Sequence, residues 1–288
     1  MFRAGPSPDP IESLSLEDTD AGARALVAPA RGGLVTRWRV EGRELLFLDQ
    51  ATLADPTRNV RGGIPVLFPT PGKLERDEWA RSCRAGKLPQ HGFARTLPWE
   101  LVATSSDGAA SCRLRLAASE ATRSHFPWSF ALEHELALHG RTLRIEQRVT
   151  NLDHAALPFA LGFHPYFLVP QGEKAAARIA TRATRAYDNV RKREIPFAGF
   201  ELTAPEVDLH LIDHGSSAAS LELASGTIRI ECSPAYQRWV VWTLAGRDFV
   251  CLEPWTAPAN AMNTGEGLLR LAPGGTCESY VELTFAPR

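Results

Sequence analysis

The run Phe130-Ala-Leu-Glu-His-Glu-Leu-Ala-Leu138 alternates between two kinds of side chain. Every second residue from Phe130 onward lies on one face, which is apolar apart from His134, while Glu133 and Glu135 lie on the other. This period of two is typical of a strand with one buried face. The alternation resumes over residues 143–149, after a short segment that contains a glycine. The two runs therefore predict an antiparallel hairpin.

The same alternation recurs in Cys112–Leu116, Ile228–Cys232 and Tyr280–Phe285, and paired glycines separate many of the runs. No long stretch keeps a helical period. Many short strands with turn signals predict an all-β protein, a single large antiparallel β-sandwich with few short helices. Residues 1–22, rich in Pro, Asp, Glu and Ser, suggest a loose N-terminal lead-in, and no linker divides residues 23–288, which we interpret as one domain.

Charge and composition narrow the class of partner. The chain has 32 basic and 33 acidic residues, so its balance does not indicate a nucleic acid partner. No apolar run approaches a membrane span, and the N-terminus lacks the apolar core of a signal peptide. Five widely spaced cysteines without a C-x-x-C pair predict reduced thiols. These features predict a cytoplasmic protein, a monomer or weak homodimer, with a small-molecule ligand.

One titratable side chain stands out in Leu161-Gly-Phe-His-Pro-Tyr-Phe167, where His164 is surrounded by apolar and aromatic residues. Histidine exchanges a proton near neutral pH after only a modest shift of its pKa. Pro165 favours the end of a strand or an irregular turn, from which the imidazole could face a cleft. A packed histidine bonded to a backbone carbonyl remains the alternative unless other polar groups converge on it.

Three further segments supply such groups. Arg61–Gly72 and Leu88–Arg95 are rich in glycine and proline and predict loops, where binding groups concentrate. The segment from residue 73 to residue 95 carries six basic side chains against three acidic ones, which suggests either a solvated loop or a phosphate partner. Glu253 ends an apolar run, and a carboxylate there needs partners.

These residues carry a family resemblance. Arg61-Gly-Gly-Ile-Pro65, Pro89-Gln-His-Gly-Phe-Ala-Arg95, His164-Pro-Tyr-Phe167 and Glu253-Pro-Trp255 occur in the order and approximate spacing of the aldose 1-epimerase (galactose mutarotase-like) family. The resemblance covers about residue 30 to the C-terminus. It implies the large antiparallel sandwich of that family, which agrees with the period-two pattern.

The resemblance also implies roles for individual residues. His164 would be the general acid at the sugar ring oxygen, and Glu253 the general base at the anomeric hydroxyl. Arg61 and His91 would hold sugar oxygens, and Trp255 could offer an apolar platform. Asp208 matches the family's sugar-binding aspartate loosely, with Asp188 as the alternative. The implied protein is a metal-independent isomerase that needs no cofactor.

Several other functions stay open. Two imidazoles and a carboxylate, His91, His164 and Glu253, could bind zinc, but no short ligand spacing supports this. A glycosidase needs two carboxylates, and only Glu253 has the right context. A sugar-binding protein without turnover could use the same cleft. The substrate would be a free hexose or, as the basic segment suggests, a hexose 6-phosphate, although the hexose 6-phosphate branch usually has Thr where this chain has Pro165.

Overall fold

The computed structural model describes residues 1–8, 11–81 and 83–288. Short antiparallel strands make up most of it. In chain order the first strands are β1 (Phe2–Ser7), β2 (Ser13–Asp18), β3 (Ala23–Ala28), β4 (Leu34–Val40), β5 (Arg43–Glu44), β6 (Val66–Leu67), β7 (Glu78–Arg81), β8 (Arg84–Lys87), β9 (Glu100–Ser105), β10 (Ala110–Ala117), β11 (Phe130–His139) and β12 (Thr142–Asn151).

The second half of the chain continues the same architecture. Its strands are β13 (Leu157–Phe159), β14 (Gly162–Phe163), β15 (Tyr166–Leu168), β16 (Arg178–Ala180), β17 (Arg185–Asp188), β18 (Arg193–Pro196), β19 (Glu206–Leu211), β20 (Ala218–Leu223), β21 (Gly226–Cys232), β22 (Arg238–Leu244), β23 (Phe249–Trp255), β24 (Leu269–Leu271) and β25 (Thr276–Pro287). The short helices are α1 (Gln50–Ala54), α2 (Glu120–Arg123) and α3 (Ala261–Thr264), with single 3₁₀ turns at Pro29–Arg31, Glu75–Asp77 and Gln171–Glu173.

Two large sheets and one smaller sheet form the body of the molecule. One eight-stranded sheet, called sheet I below, has the order β16-β20-β21-β25-β12-β11-β10-β9. A second, sheet II, has the order β18-β17-β19-β22-β23-β14-β6, with β15 also paired to β23. A five-stranded sheet runs β1-β2-β3-β4-β5, and β7-β8 and β13-β24 form two small ribbons. The predicted antiparallel β-sandwich with few short helices is confirmed.

The hairpin that suggested the fold is formed by β11 and β12. The two strands pair antiparallel from Phe130 opposite Asn151 to His139 opposite Thr142, which confirms the predicted hairpin. Leu132, Leu136 and Leu138 are buried, as the alternation requires. Because a shift of one residue would turn every leucine towards solvent, burial of this face also determines the register.

The core lies between the two large sheets. Ile145 and Leu283 of sheet I belong to the same buried cluster as Val241 and Leu252 of sheet II. Since successive side chains of a strand point to opposite faces, the alternate residues of sheet II point away from this core. This second face of sheet II is the one that builds the cavity described below.

The N-terminal segment differs from the expectation. Residues 2–7 and 13–18 are β1 and β2 rather than parts of a loose lead-in, and Leu16 is fully buried. The alternation in Ser13-Leu-Ser-Leu16 is short, but β2 pairs with β3 along its length, which lets its leucines join the core. Asp9 and Pro10, which belong to the same expected lead-in, lie outside the described residues.

Two further sequence predictions can be compared with the structure. All five cysteines are free thiols, as their spacing suggested. Among the described residues, no helix has the length and hydropathy needed to span a membrane.

Candidate active site

A cavity of about 460 Å³ lies on the face of sheet II that points away from the core. Three neighbouring strands contribute alternate residues to its lining. Strand β19 contributes Asp208 and His210, β22 contributes Trp242, and β23 contributes Glu253 and Trp255. The intervening residues of each strand belong to the core, so the period of two decides which side chains reach the cavity.

His164 reaches this cavity from the short connection between β14 and β15. Its backbone N–H donates to the carbonyl of Pro65, and its ring stacks on Tyr166, with 4.7 Å between the ring centroids. Pro165 interrupts the strand at this point, as the sequence suggested. The His164 side chain is only 9 % exposed, and among the described residues its Nδ1 has no hydrogen-bond partner. The alternative of a histidine bonded to a backbone carbonyl through that nitrogen is therefore not what the structure contains.

Glu253 is the nearest polar neighbour of that imidazole. Nε2 of His164 lies 3.4 Å from Oε1 of Glu253, and Nε1 of Trp255 donates to Oε2 of the same carboxylate at 3.0 Å. The glutamate side chain is 1 % exposed. The two titratable groups named first from the sequence are thus in contact, at the floor of a cavity that a small molecule can enter.

Burial shifts the pKa values of this pair in opposite directions. Desolvation raises the pKa of Glu253 well above its usual value, and the nearby Asp208 carboxylate adds to the rise. Desolvation lowers the pKa of His164 to about 3, and the positive charge of Arg95 contributes in the same direction. Burial therefore shifts both groups of this contact towards their neutral forms.

His91 packs beside the pair, with its ring centroid 5.4 Å from that of His164. It has a left-handed backbone with φ of 69°, its N–H donates to the carbonyl of Gly72, and its Nδ1 accepts from the Gly72 N–H at 3.0 Å. Burial lowers its pKa well below the usual value. A neutral ring that accepts at Nδ1 carries its proton on Nε2, which lies 3.3 Å from the side-chain amide of Gln90, a residue that also lines the cavity.

Arg61 follows α1, and its side chain lies against the cavity wall. Its guanidinium carbon is 5.8 Å from the ring centroid of Trp242, within the range of a cation–π contact. Its backbone N–H donates to Thr52. Arg61 and His91 both line the cavity, together with the acid–base pair.

The two candidate aspartates lie in different places. Asp208 lines the cavity, where Oδ1 is 3.4 Å from Nε2 of His210 and Oδ2 accepts from the amide of Asn189. Asp188 is the buried last residue of β17, and its carboxylate accepts from the N–H groups of Val190 and Arg191 in the turn that follows. A ligand in the cavity could therefore contact Asp208, whereas the carboxylate of Asp188 is used in hydrogen bonds to the turn.

The basic segment contributes less to the cavity than its charge suggested. Of its six basic side chains, only Lys73 and Arg95 line the cavity. Arg84, another basic residue of this segment, packs 4.7 Å from the Trp128 ring and pairs with Asp153 at 3.2 Å. Its charge is therefore paired outside the cavity.

Several lining residues were not predicted. Among them are His210, Tyr166, Trp242, Gln90 and Lys192. The alternation of Glu206-Val-Asp-Leu-His210 could have indicated His210, since it shares a strand face with Asp208. Lys192 and Gln90 carried no comparable signal, because loop positions have no period.

The residues whose donor atoms lie close enough to hold one metal ion differ from the set that the sequence left open. Ligand atoms of His164, Cys251 and Glu253 lie within 4.8 Å of one another, and all three residues are buried. Among the described residues, this is the one set of at least three His, Cys, Asp or Glu side chains with ligand atoms so close together, and it does not include His91.

The chain is similar in sequence to several known proteins. The family model for aldose 1-epimerase matches residues 14–284. A curated relative from Salmonella typhimurium, named "Putative glucose-6-phosphate 1-epimerase", is 30% identical over 162 residues, which are 56% of this chain and 50% of the relative. Protein LacX of Lactococcus lactis is 22% identical over 236 residues, 71% of this chain and 77% of the relative. The chain spans about half the length of the first curated relatives it matches.

Solved structures with the same fold are also known. The Slr1438 protein of Synechocystis superposes with a TM-score of 0.94 at 38% identity, and all of both chains is covered. A galactose 1-epimerase from Lactobacillus acidophilus superposes with a TM-score of 0.77 at 16% identity over 100% of this chain and 98% of that one, a likeness of fold alone.

Proposed function

The chain belongs to the aldose 1-epimerase family, and on that premise we propose that it interconverts the α and β anomers of a hexose. The observation that carries the proposal is the contact of 3.4 Å between His164 and Glu253 at the floor of the cavity. The ring oxygen and the anomeric hydroxyl oxygen of a hexose are bonded to the same carbon. An acid and a base that serve these two atoms must therefore lie close together, as this pair does.

The proposed reaction needs one proton donor and one proton acceptor. His164 gives a proton to the ring oxygen while Glu253 removes the proton of the anomeric hydroxyl. The O–H electron pair becomes the second bond of the C1 carbonyl, and the electron pair of the C1–ring oxygen bond leaves with the ring oxygen. The open aldehyde rotates about C1–C2 and closes on its other face, and each residue recovers its original state.

Burial favours the direction of these transfers. A lowered pKa makes the protonated imidazole of His164 a stronger acid, and a raised pKa makes the carboxylate of Glu253 a stronger base. Ring opening turns this charged pair into two neutral groups, the form that a desolvated site stabilises. Ring closure reverses both transfers and regenerates the charged pair, so the number of protons on the pair is unchanged over the cycle.

The remaining lining residues are proposed to hold the sugar. Arg61 and the Nε2–H of His91 would donate to sugar oxygens, and Asp208 would accept from sugar hydroxyls. The edge of the Trp255 indole would border one sugar face. Its N–H is occupied by Glu253 at 3.0 Å, so Trp255 also orients the base.

Polarimetry tests the proposal directly. Freshly dissolved α-D-glucose or α-D-galactose should relax faster in the presence of the protein, and the acceleration should survive a chelator. A loss of acceleration in chelator would contradict the metal-independent mechanism. Binding of a sugar without any acceleration would favour a carbohydrate-binding protein that does not turn over its ligand.

A second candidate substrate, a hexose 6-phosphate, is favoured by the charge of the cavity. Four cationic side chains line it, namely Arg61, Lys73, Arg95 and Lys192. Among the described residues, Nε of Arg95 is buried without a hydrogen-bond partner, and its pKa of about 10 leaves it charged at neutral pH. Guanidinium groups are natural partners for phosphate. The name of the Salmonella relative is consistent with this choice.

Comparing kcat/KM for glucose and glucose 6-phosphate separates the two substrates. If the phosphate is recognised by Arg95, Arg95→Met should lower kcat/KM for the phosphorylated sugar by ~10- to 100-fold, the worth of a charged hydrogen bond, and that for glucose much less. Arg84→Met is the matched control and should leave the ratio unchanged. Equal losses for both sugars in Arg95→Met would favour the free hexose.

A further inference from the structure

A thiol lies against the proposed acid–base pair. Cys251 and Glu253 are two residues apart on β23, so both side chains point to the same face of sheet II. Cys251 is fully buried and lies opposite Tyr166 of β15, two residues after His164. This arrangement brings Sγ, an imidazole nitrogen and a carboxylate oxygen within 4.8 Å of one another.

These three donors are ligands that suit a soft or borderline divalent cation. Zinc binds cysteine sulfur at about 2.3 Å, and histidine nitrogen and carboxylate oxygen at about 2.0–2.2 Å. Two nitrogen or oxygen ligands of a tetrahedral ion are then about 3.4 Å apart. The distance between His164 and Glu253 is 3.4 Å already. Movement of the thiol by about an ångström would complete a site with three protein ligands.

The cavity supplies the fourth position. His164 and Glu253 both line it, so an ion held by them would keep one coordination site open to water or to a small ligand. Magnesium and calcium fit poorly here, since they require six or more oxygen ligands. The positive charges of Arg61 and Arg95 oppose any cation, whereas a thiolate and a carboxylate together offset them.

From this geometry we propose that Cys251, His164 and Glu253 form a binding site for a thiophilic divalent cation such as Zn²⁺, and that the bound ion inhibits turnover by occupying the acid–base pair. The ion would take the lone pairs of Nε2 and of the carboxylate, which the reaction needs for proton transfer. The inhibition rests on the proposed function, whereas the binding does not. Cys251 itself has no step in the proposed reaction.

Cobalt titration tests the binding without any assay of activity. One equivalent of Co²⁺ should give the near-ultraviolet sulfur-to-cobalt band and the intense visible bands of a tetrahedral ion. Cys251→Ser should remove the sulfur band. Cys83→Ser, at an exposed cysteine outside the cavity, is the matched control and should keep both. Absence of the bands in the unaltered protein, or their persistence in Cys251→Ser, would overturn the site.

Zinc inhibition tests the consequence. Micromolar Zn²⁺ should slow anomer exchange, excess chelator should restore the rate, and the inhibition constant should rise by at least ~10-fold in Cys251→Ser, as expected for loss of a ligand. The rate of the variant without zinc should be close to that of the unaltered protein. Equal zinc sensitivity of the two proteins would contradict the assignment of Cys251. If no sugar is turned over at all, the cobalt titration still decides the binding.

Discussion

His134, on β11 of sheet I, and His164, in the connection between β14 and β15 of sheet II, have similar surroundings in several respects. Both are buried, both line a cavity, and burial lowers the pKa of each to about 3. Nε2 of His134 lies 2.7 Å from the amide of Gln147, which accepts a hydrogen bond from Tyr236. Nε2 of His164 instead faces the carboxyl of Glu253.

The surroundings of the two cavities also differ. The cavity beside His134 measures about 530 Å³, and most of its charged side chains are paired with one another, as in Arg113–Glu135 and Arg148–Glu278. The cavity beside His164 contains Arg95, whose Nε has no partner among the described residues. Burial of a histidine therefore carries little functional information. More information comes from the group that faces the Nε2 atom of the histidine and from the unpaired charges nearby.

The largest expected effect is on turnover. His164→Asn and Glu253→Gln should each lower kcat by ~10²- to 10⁴-fold, because each removes one positioned proton-transfer group. Polarimetric rates with the preferred sugar measure the loss, and thermal unfolding should show that the fold remains. His134→Gln is the matched control and should keep near-native kcat. Near-native activity in either of the first two variants would make the acid–base assignment wrong.

Substitution of His134 should change stability rather than turnover. His134→Ala should lower the free energy of unfolding by about 2–4 kcal/mol, since it leaves a cavity beside Trp99 and removes the partner of the Gln147 amide. Urea denaturation measures the change. His134→Leu combined with Gln147→Leu and Tyr236→Phe replaces the whole polar group with apolar side chains and should recover much of the loss. Failure of the triple variant to recover stability would mean that the hydrogen bonds, and not packing, dominate there.

The two aspartates extend the same comparison. Asp208→Asn should lower kcat/KM by ~10- to 100-fold if its carboxylate accepts from sugar hydroxyls. Asp188→Asn should leave kcat/KM unchanged and cost about 1 kcal/mol of unfolding free energy, because its carboxylate only bonds the turn at residues 190 and 191. Steady-state kinetics and urea denaturation of both variants measure the two effects. If kcat/KM fell for Asp188→Asn alone, Asp188 and not Asp208 would be the residue that binds the sugar.

The last expected effect is a slope of stability with pH. The folded pKa of His134, about 3, lies below the ordinary value of 6.5, so between these values the unfolded chain holds a proton that the folded chain does not. Stability from this residue is complete above pH 6.5 and falls as the pH drops towards 3, by at most about 1.4 kcal/mol per pH unit. His134→Leu should flatten the slope of unfolding free energy measured between pH 4 and 6.5, relative to the unaltered protein. An unchanged slope would show that His134 is not responsible.

Much of the fold was predictable because strand periodicity is local. The alternation of residues 130–149 identified the hairpin and its buried face, which the register of β11 and β12 confirms. The family was predictable from four short motifs, because their order and spacing are written in the chain. The N-terminal strands were not, since β1 and β2 are stabilised by pairing within a sheet rather than by a strong pattern of their own.

For the site, the sequence by itself determined which residues could share a strand face, and Asp208 with His210 or Cys251 with Glu253 follow from a period of two. Only the tertiary structure decided which faces meet. In the tertiary structure His164 contacts Glu253, the Asp188 carboxylate bonds to a turn, and Arg84 packs on Trp128 outside the cavity. The physical reason is that pairing of distant strands and loops depends on burial and hydrogen bonding across the whole chain, which no local pattern records.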